Sequence, residues 1–287
     1  MAGSGIKARI NWLKQRATQS SAFRAFTRYR TQRGSRLAAA ITYSAFLSLF
    51  PLLAVAVAVT AAALGSAGEK RLRDQIGENV PGIAGKLPLD GVVSNAATIG
   101  VISGAALIWT GLSWVNMTRG SLRTIWAVED MPGRFVTRKL ADLASLVGLG
   151  LTAAVSLAAS ALTSALAGRV LRALGVADTT PARVTLWVVG VAVGVGASTL
   201  LFAYLLSGIP RLRIPRNVLL GTALAAALLF EVTKSLVAAY LDNVAGKTLY
   251  GAFGVPIALL IWFNLTFQTV LFLAAWTATR TEDLLED

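Results

Sequence analysis

Residues 218–241, VLLGTALAAALLFEVTKSLVAAYL, decide what kind of protein this is. Within this apolar run only Glu231 and Lys234 are charged, and both lie near its middle. A helix rises about 1.5 Å per residue, so roughly 20 apolar residues cross the hydrocarbon of a bilayer. An acid and a base at the centre of such a span each cost roughly 2.5–3.5 kcal/mol, unless they pair or face a polar cavity. Their i, i+3 spacing puts them on one side of the helix. Two readings stay open: the pair neutralises itself inside a bundle, or it marks a polar path through the membrane.

The rest of the chain is built in the same way. Of 287 residues 55% are hydrophobic and only 14% are charged, too few to solvate a soluble protein of this size. No Asp, Glu, Lys or Arg lies between Arg36 and Glu69, or in the windows 91–118, 143–168 and 248–279. Arg211 alone interrupts the window 184–212. Together these runs predict spans over 37–64, 92–115, 143–167, 184–206, 218–241 and 252–277. Soluble cores do not use runs this long without a polar face. The expected fold is an all-α polytopic membrane protein of six transmembrane helices, residues 37–279 forming one membrane domain.

A net charge of +13 in a soluble chain would suggest nucleic acid, but its distribution here points to lipid. Segments 1–36, 116–142, 207–216 and 280–287 hold 18 of the Lys and Arg residues, against 8 in the alternate segments. The positive-inside rule then puts both termini in the cytoplasm, with the basic face towards anionic headgroups. In segment 1–36, Ile6, Ile10, Leu13 and Ala17 recur on one helical face, and Phe23, Phe26 and Tyr29 alternate with arginines. That is the pattern of an amphipathic helix lying along the headgroup layer. Glu69–Asn79 reads as a short surface helix, and segment 116–142 as an interfacial helix, a turn at Met131-Pro132-Gly133 and a re-entry helix. Residues 280–287 form an acidic cytoplasmic tail, and no cleavable signal peptide is expected.

Much chemistry is missing. The chain has no Cys and no His, so disulfides, thiolate metal sites, the H-E-x-x-H zinc motif and the commonest general base are all excluded. It has no G-x-x-x-x-G-K-[ST] phosphate loop, and Glu231 is its only carboxylate deep in a span. We therefore expect no enzyme activity, no cofactor, no metal and no nucleic-acid partner.

What remains is polar and intramembrane. Asp242 lies eleven residues beyond Glu231, about three helical turns, so the two carboxylates share a stripe flanked by Lys234. Such a stripe suits a charged headgroup whose acyl chains stay in lipid; a buried pair that only fixes helix packing is the competing reading. Asn264 and Gln268, one turn apart, are candidates to line the same path or to bond between helices. Pro51 predicts a kink in the first span, static or hinged, with Ser44 and Ser48 near enough to satisfy freed backbone groups. Arg119, Arg123, Arg211, Arg213 and Arg216 are the candidate contacts for anionic headgroups. Gly100-x-x-x-Gly104 and Gly190-x-x-x-Gly194 allow close helix approach.

The run Ala39-Ala40-Ile41-Thr42-Tyr43-Ser44-Ala45-Phe46-Leu47-Ser48-Leu49-Phe50-Pro51-Leu52-Leu53 resembles the first-span signature of the YihY/BrkB family of bacterial inner-membrane proteins. Arg119–Glu129, Phe230-Glu231 with Lys234 and Tyr240-Leu241, and Tyr250-Gly251-Ala252-Phe253-Gly254 with Leu260-Ile261-Trp262 look like later stretches of the same family. Near Ala275 the family usually carries an acid that this chain lacks. The resemblance implies envelope lipid movement or homeostasis, with partners that bridge the envelope. It also brings an old ribonuclease label, which the residue inventory argues against. The resulting expectation is a flippase-like or lipid-transport component. Its alternatives are a small-solute or ion transporter, or a scaffold that transports nothing.

Overall fold

The computed structural model describes residues 20–79, 96–129, 136–152, 180–244 and 251–286. They form α1 (Ser21–Thr31), α2 (Gly34–Asn79), α3 (Ala96–Ile125), α4 (residues 136–152), α5 (Thr180–Ala203), α6 (Arg216–Val244) and α7 (Gly251–Glu286). A π-helical turn, Tyr204–Gly208, extends α5. No strand occurs among the described residues.

Among the described residues five helices are long and apolar enough to cross a membrane: Gly34–Val59, Ala97–Ile125, Val188–Gly208, Arg216–Val237 and Val255–Leu285. The remaining expected span, 143–167, is helical as far as residue 152 and lies outside the described residues beyond it. So do residues 1–19 of the basic segment and the turn expected at Met131-Pro132-Gly133.

Two helices overrun their expected ends. The helix expected separately over Glu69–Asn79 is continuous with the first span, giving α2 46 residues, or about 69 Å. Likewise α3 runs through Val115 to Ile125, because residues 116–125 carry no Gly-Pro break and keep their apolar spacing through Leu122 and Ile125.

The described chain falls into two compact units, Tyr43–Trp114 and Met1–Thr42 with Val115–Asp287. In the first unit Pro51 sits inside an unbroken α2, and the Ser48 hydroxyl donates to the Ser44 carbonyl at 2.9 Å. Gly100 faces Ala58, where an added Cβ would come within 3.6 Å, whereas Gly104 faces nothing within 4 Å. Tyr43, Phe50, Leu53, Val101, Ile102 and Trp109 turn outward, the surface expected of helices solvated by lipid.

In the second unit α6 packs on both α5 and α7, and α1 packs on α7. Small residues make this possible: Ala223, Ala226 and Ala227 of α6 and Ala274, Ala275 and Ala278 of α7 are all buried. Six serines and threonines of this unit satisfy themselves within their own helices, as hydrocarbon offers no water. Thr42, Ser145, Thr222, Thr277, Thr279 and Thr281 each donate to the carbonyl four residues back.

Tyr204, at the start of the π turn, locks α4 to α5. Its hydroxyl donates to the Ser145 carbonyl at 3.2 Å, and its ring lies against Gly148 and Gly208, leaving no room for a Cβ at either. Gly148→Val is therefore expected to displace Tyr204 and cost about 1–3 kcal/mol, read as a lower melting temperature of the detergent-solubilised protein. Gly150, which faces nothing within 4 Å, is the control position.

Candidate functional site

The intramembrane pair forms. Lys234 Nζ lies 2.6 Å from Glu231 Oε2, with the lysine half exposed and the glutamate one-quarter exposed. Glycine sets the other side of the carboxylate: a Cβ placed on Gly194 of α5 would stand 3.9 Å from Glu231 Oε1. Gly190, the other half of that motif, faces nothing within 4 Å. A Cβ at Gly194 would thus rest at ordinary van der Waals distance from the carboxylate. Val232 and Leu236, flanking the pair on α6, are exposed.

Behind the pair the helices are sealed by aromatics. Phe230 packs between Phe202 of α5 and Trp262 of α7, with ring centroids 5.5 and 5.4 Å away. The crevice there, lined by Phe202, Phe230, Thr233, Thr266 and Val270 among others, is too narrow for a water molecule. The Thr266 hydroxyl and the Trp262 indole N–H find no hydrogen-bond partner among the described residues. The polar groups of α6 thus sit beside a dry three-helix seam, on the outside of it.

Asn264 and Gln268 bond to each other along α7, the Gln268 amide donating to the Asn264 side-chain oxygen. Asp242 falls in the last turn of α6, and its side chain lies outside the described residues. The structure thus brings Glu231 and Lys234 together, and Asn264 with Gln268, as two separate pairs.

The five candidate headgroup arginines divide. Arg119 is 2% exposed, with Nε 3.1 Å from Oδ1 of the equally buried Asp142 and Nη2 donating to Asn116 Oδ1 at 2.7 Å. Burial and a carboxylate partner direct it inward, to the joint between α3 and α4. Arg123 donates to the Glu129 carbonyl at 2.8 and 2.6 Å and to the Pro210 carbonyl at 2.9 Å, so it ties two chain turns together. Arg211, Arg213 and Arg216 are exposed.

Sequence reasoning passed over Asp142, which sits at the very edge of a charge-free window, at the end of the expected re-entry helix. It also passed over a clasp at the chain ends. Arg28 donates two 2.8 Å bonds to the Glu282 carboxylate, and its other nitrogens donate to the carbonyls of Ile125 and Trp126 at 2.8 and 3.1 Å. Arg24 pairs with Asp283. The basic residues of α1 thus neutralise the acidic end of α7 and cap the C-terminus of α3, whose last carbonyls have no helical partner. Arg28→Ala is expected to cost about 2 kcal/mol and to speed proteolysis in 20–33, while Arg30→Ala leaves both unchanged.

A model of the family described as virulence factor BrkB matches residues 25–287. The chain belongs to the BrkB family. It is 28% identical over 268 residues to the inner membrane protein YhjD of Escherichia coli (strain K12), covering 89% of this chain and 79% of that one. An uncharacterised protein of Dickeya dadantii (strain 3937) is 29% identical over 271 residues, covering 89% and 81%. A UPF0761 membrane protein of Alkalilimnicola ehrlichii is 28% identical over 264 residues, covering 87% and 56%. No solved structure matches the chain. This BrkB-family chain is a multi-pass helical membrane protein. Ala275 of α7 is completely buried.

Proposed function

We propose that this BrkB-family protein moves envelope lipids between leaflets of the inner membrane, with six spans and both termini in the cytoplasm. The observation that carries this reading is the Glu231–Lys234 pair, held at mid-span beside a dry seam, with its lysine half exposed. A zwitterionic or anionic headgroup carries the same two kinds of charge and can exchange partners with the pair while its acyl chains remain in lipid. The exchange lowers the cost of taking the headgroup through hydrocarbon, because each charge always keeps an opposite neighbour. A water-filled conduit is less well supported, since the crevice behind Phe230 admits no water.

Arg211, Arg213 and Arg216 would gather anionic headgroups at the cytoplasmic end of this path. The proposal assigns the chain no catalytic step and no cofactor. With no nucleotide site in the sequence, the movement is downhill, ion-coupled or driven by an envelope-bridging partner. The test uses liposomes carrying a fluorescent phospholipid. Movement by the wild type that Lys234→Ala lacks supports the path. Uptake of an ion or small solute without lipid movement would replace it with the transporter alternative.

A further inference from the structure

The corner between α1 and α2 holds a cleft of about 280 Å³, lined by Tyr29, Arg30, Arg33, Gly34, Ser35 and Arg36. We propose that this cleft binds a phosphate group.

Its three guanidiniums meet no carboxylate among the described residues. Among the described residues, Glu282 is paired with Arg28, Asp283 with Arg24 and Asp142 with Arg119. The arginines of α1 and of the corner after it are therefore treated in two ways. Those at 24 and 28 are neutralised by α7, and those at 30, 33 and 36 surround open space. Arg30 also lies 5.9 Å over the Phe26 ring, which restrains its guanidinium near the cleft.

Two features fix the shape. The Tyr29 ring lies against Gly34, where any Cβ would collide with it, so the wall exists only because residue 34 is glycine. The ring also packs edge-on against Phe272 of α7, and burial pushes the Tyr29 phenol above its usual range. Arg33 holds the left-handed conformation, φ 54, in which glycine is least strained, yet it places a third guanidinium at the rim. Planar forks of this kind match phosphate oxygens with paired hydrogen bonds, and three positive charges favour a dianionic monoester over a monoanionic diester.

The cleft opens where the apolar run Gly34–Val59 begins, and Phe23 and Phe26 are exposed on α1 beside it. A lipid headgroup would meet it at that depth. A soluble phosphate ester shares the chemistry, so the experiment separates the two sources. The site does not depend on lipid movement: binding and transbilayer transfer are read separately, and either can fail alone.

The full-length protein would be placed in phosphatidylcholine nanodiscs containing a minor fraction of phosphatidic acid, and lipid retention measured by native mass spectrometry. We expect selective retention of phosphatidic acid, about tenfold weaker in Arg36→Gln and lost in the triple Arg30→Gln/Arg33→Gln/Arg36→Gln. Arg280→Gln removes one equally exposed charge from α7 and should leave retention unchanged. Displacement of the lipid by millimolar inorganic phosphate, with the same dependence on Arg36, would keep the site and assign it to soluble esters. Equal losses in Arg36→Gln and Arg280→Gln, or no preference for phosphatidic acid, would overturn it. Should the triple variant fail to fold, the two single variants decide the matter.

Discussion

Replacing Asp142 by alanine is expected to lower the stability of the protein by about 3–5 kcal/mol, a fall in melting temperature on the order of 10 °C. The reason is electrostatic. Arg119 and Asp142 are both about 2% exposed, so the pair has already lost the hydration that an exposed ion pair keeps. Deleting the carboxylate strips the buried guanidinium of its charged partner at 3.1 Å, while its bond to Asn116 remains. Removing both charges is a different experiment. Arg119→Leu/Asp142→Leu leaves nothing uncompensated, and is expected to recover most of what Asp142→Ala loses. A single variant as stable as the wild type would show that water reaches this joint, and the account of Arg119 as a packing residue would fall.

That pair also marks the limit of what the sequence discloses. The helices were legible because lipid imposes a strong rule: every span must be long, apolar and internally hydrogen-bonded, so charge-free windows read directly as helices. Where spans end is harder. Residues 116–125 are too polar for a hydropathy window, yet α3 continues through them because protein neighbours cover Val115, Leu122 and Ile125. The local pair Glu231–Lys234 was legible because i, i+3 geometry is fixed by the helix itself. The non-local pairs were not: Arg119 with Asp142 and Arg28 with Glu282 join residues on different helices, and no periodicity links their positions. Asn264 and Gln268 add a bond the sequence reading did not weigh: beside lining the path or bonding between helices, their one-turn spacing lets them bond to each other along α7.

The second large effect is expected on movement rather than stability. In Glu231→Gln/Lys234→Met both charges go while shape is nearly kept, so no lone ion remains inside the membrane. Removing the pair abolishes the insertion cost of two charges, roughly 2.5–3.5 kcal/mol each before pairing, so the variant should be at least as stable as the wild type. If the pair serves passage of a headgroup, however, transfer should fall to the rate of protein-free liposomes. Lys234→Ala alone should lose transfer too, and in addition lose stability, because Glu231 is left without its partner 2.6 Å away. Comparing the two variants separates the part of the pair that holds the helix from the part that acts on lipid.

The most direct measurement is therefore the rate of phospholipid transfer between leaflets of proteoliposomes, wild type against Glu231→Gln/Lys234→Met, with melting temperatures taken on the same preparations. The account predicts transfer by the wild type only, with the two proteins equally stable. Equal transfer by both would contradict it and make the mid-membrane pair a packing device.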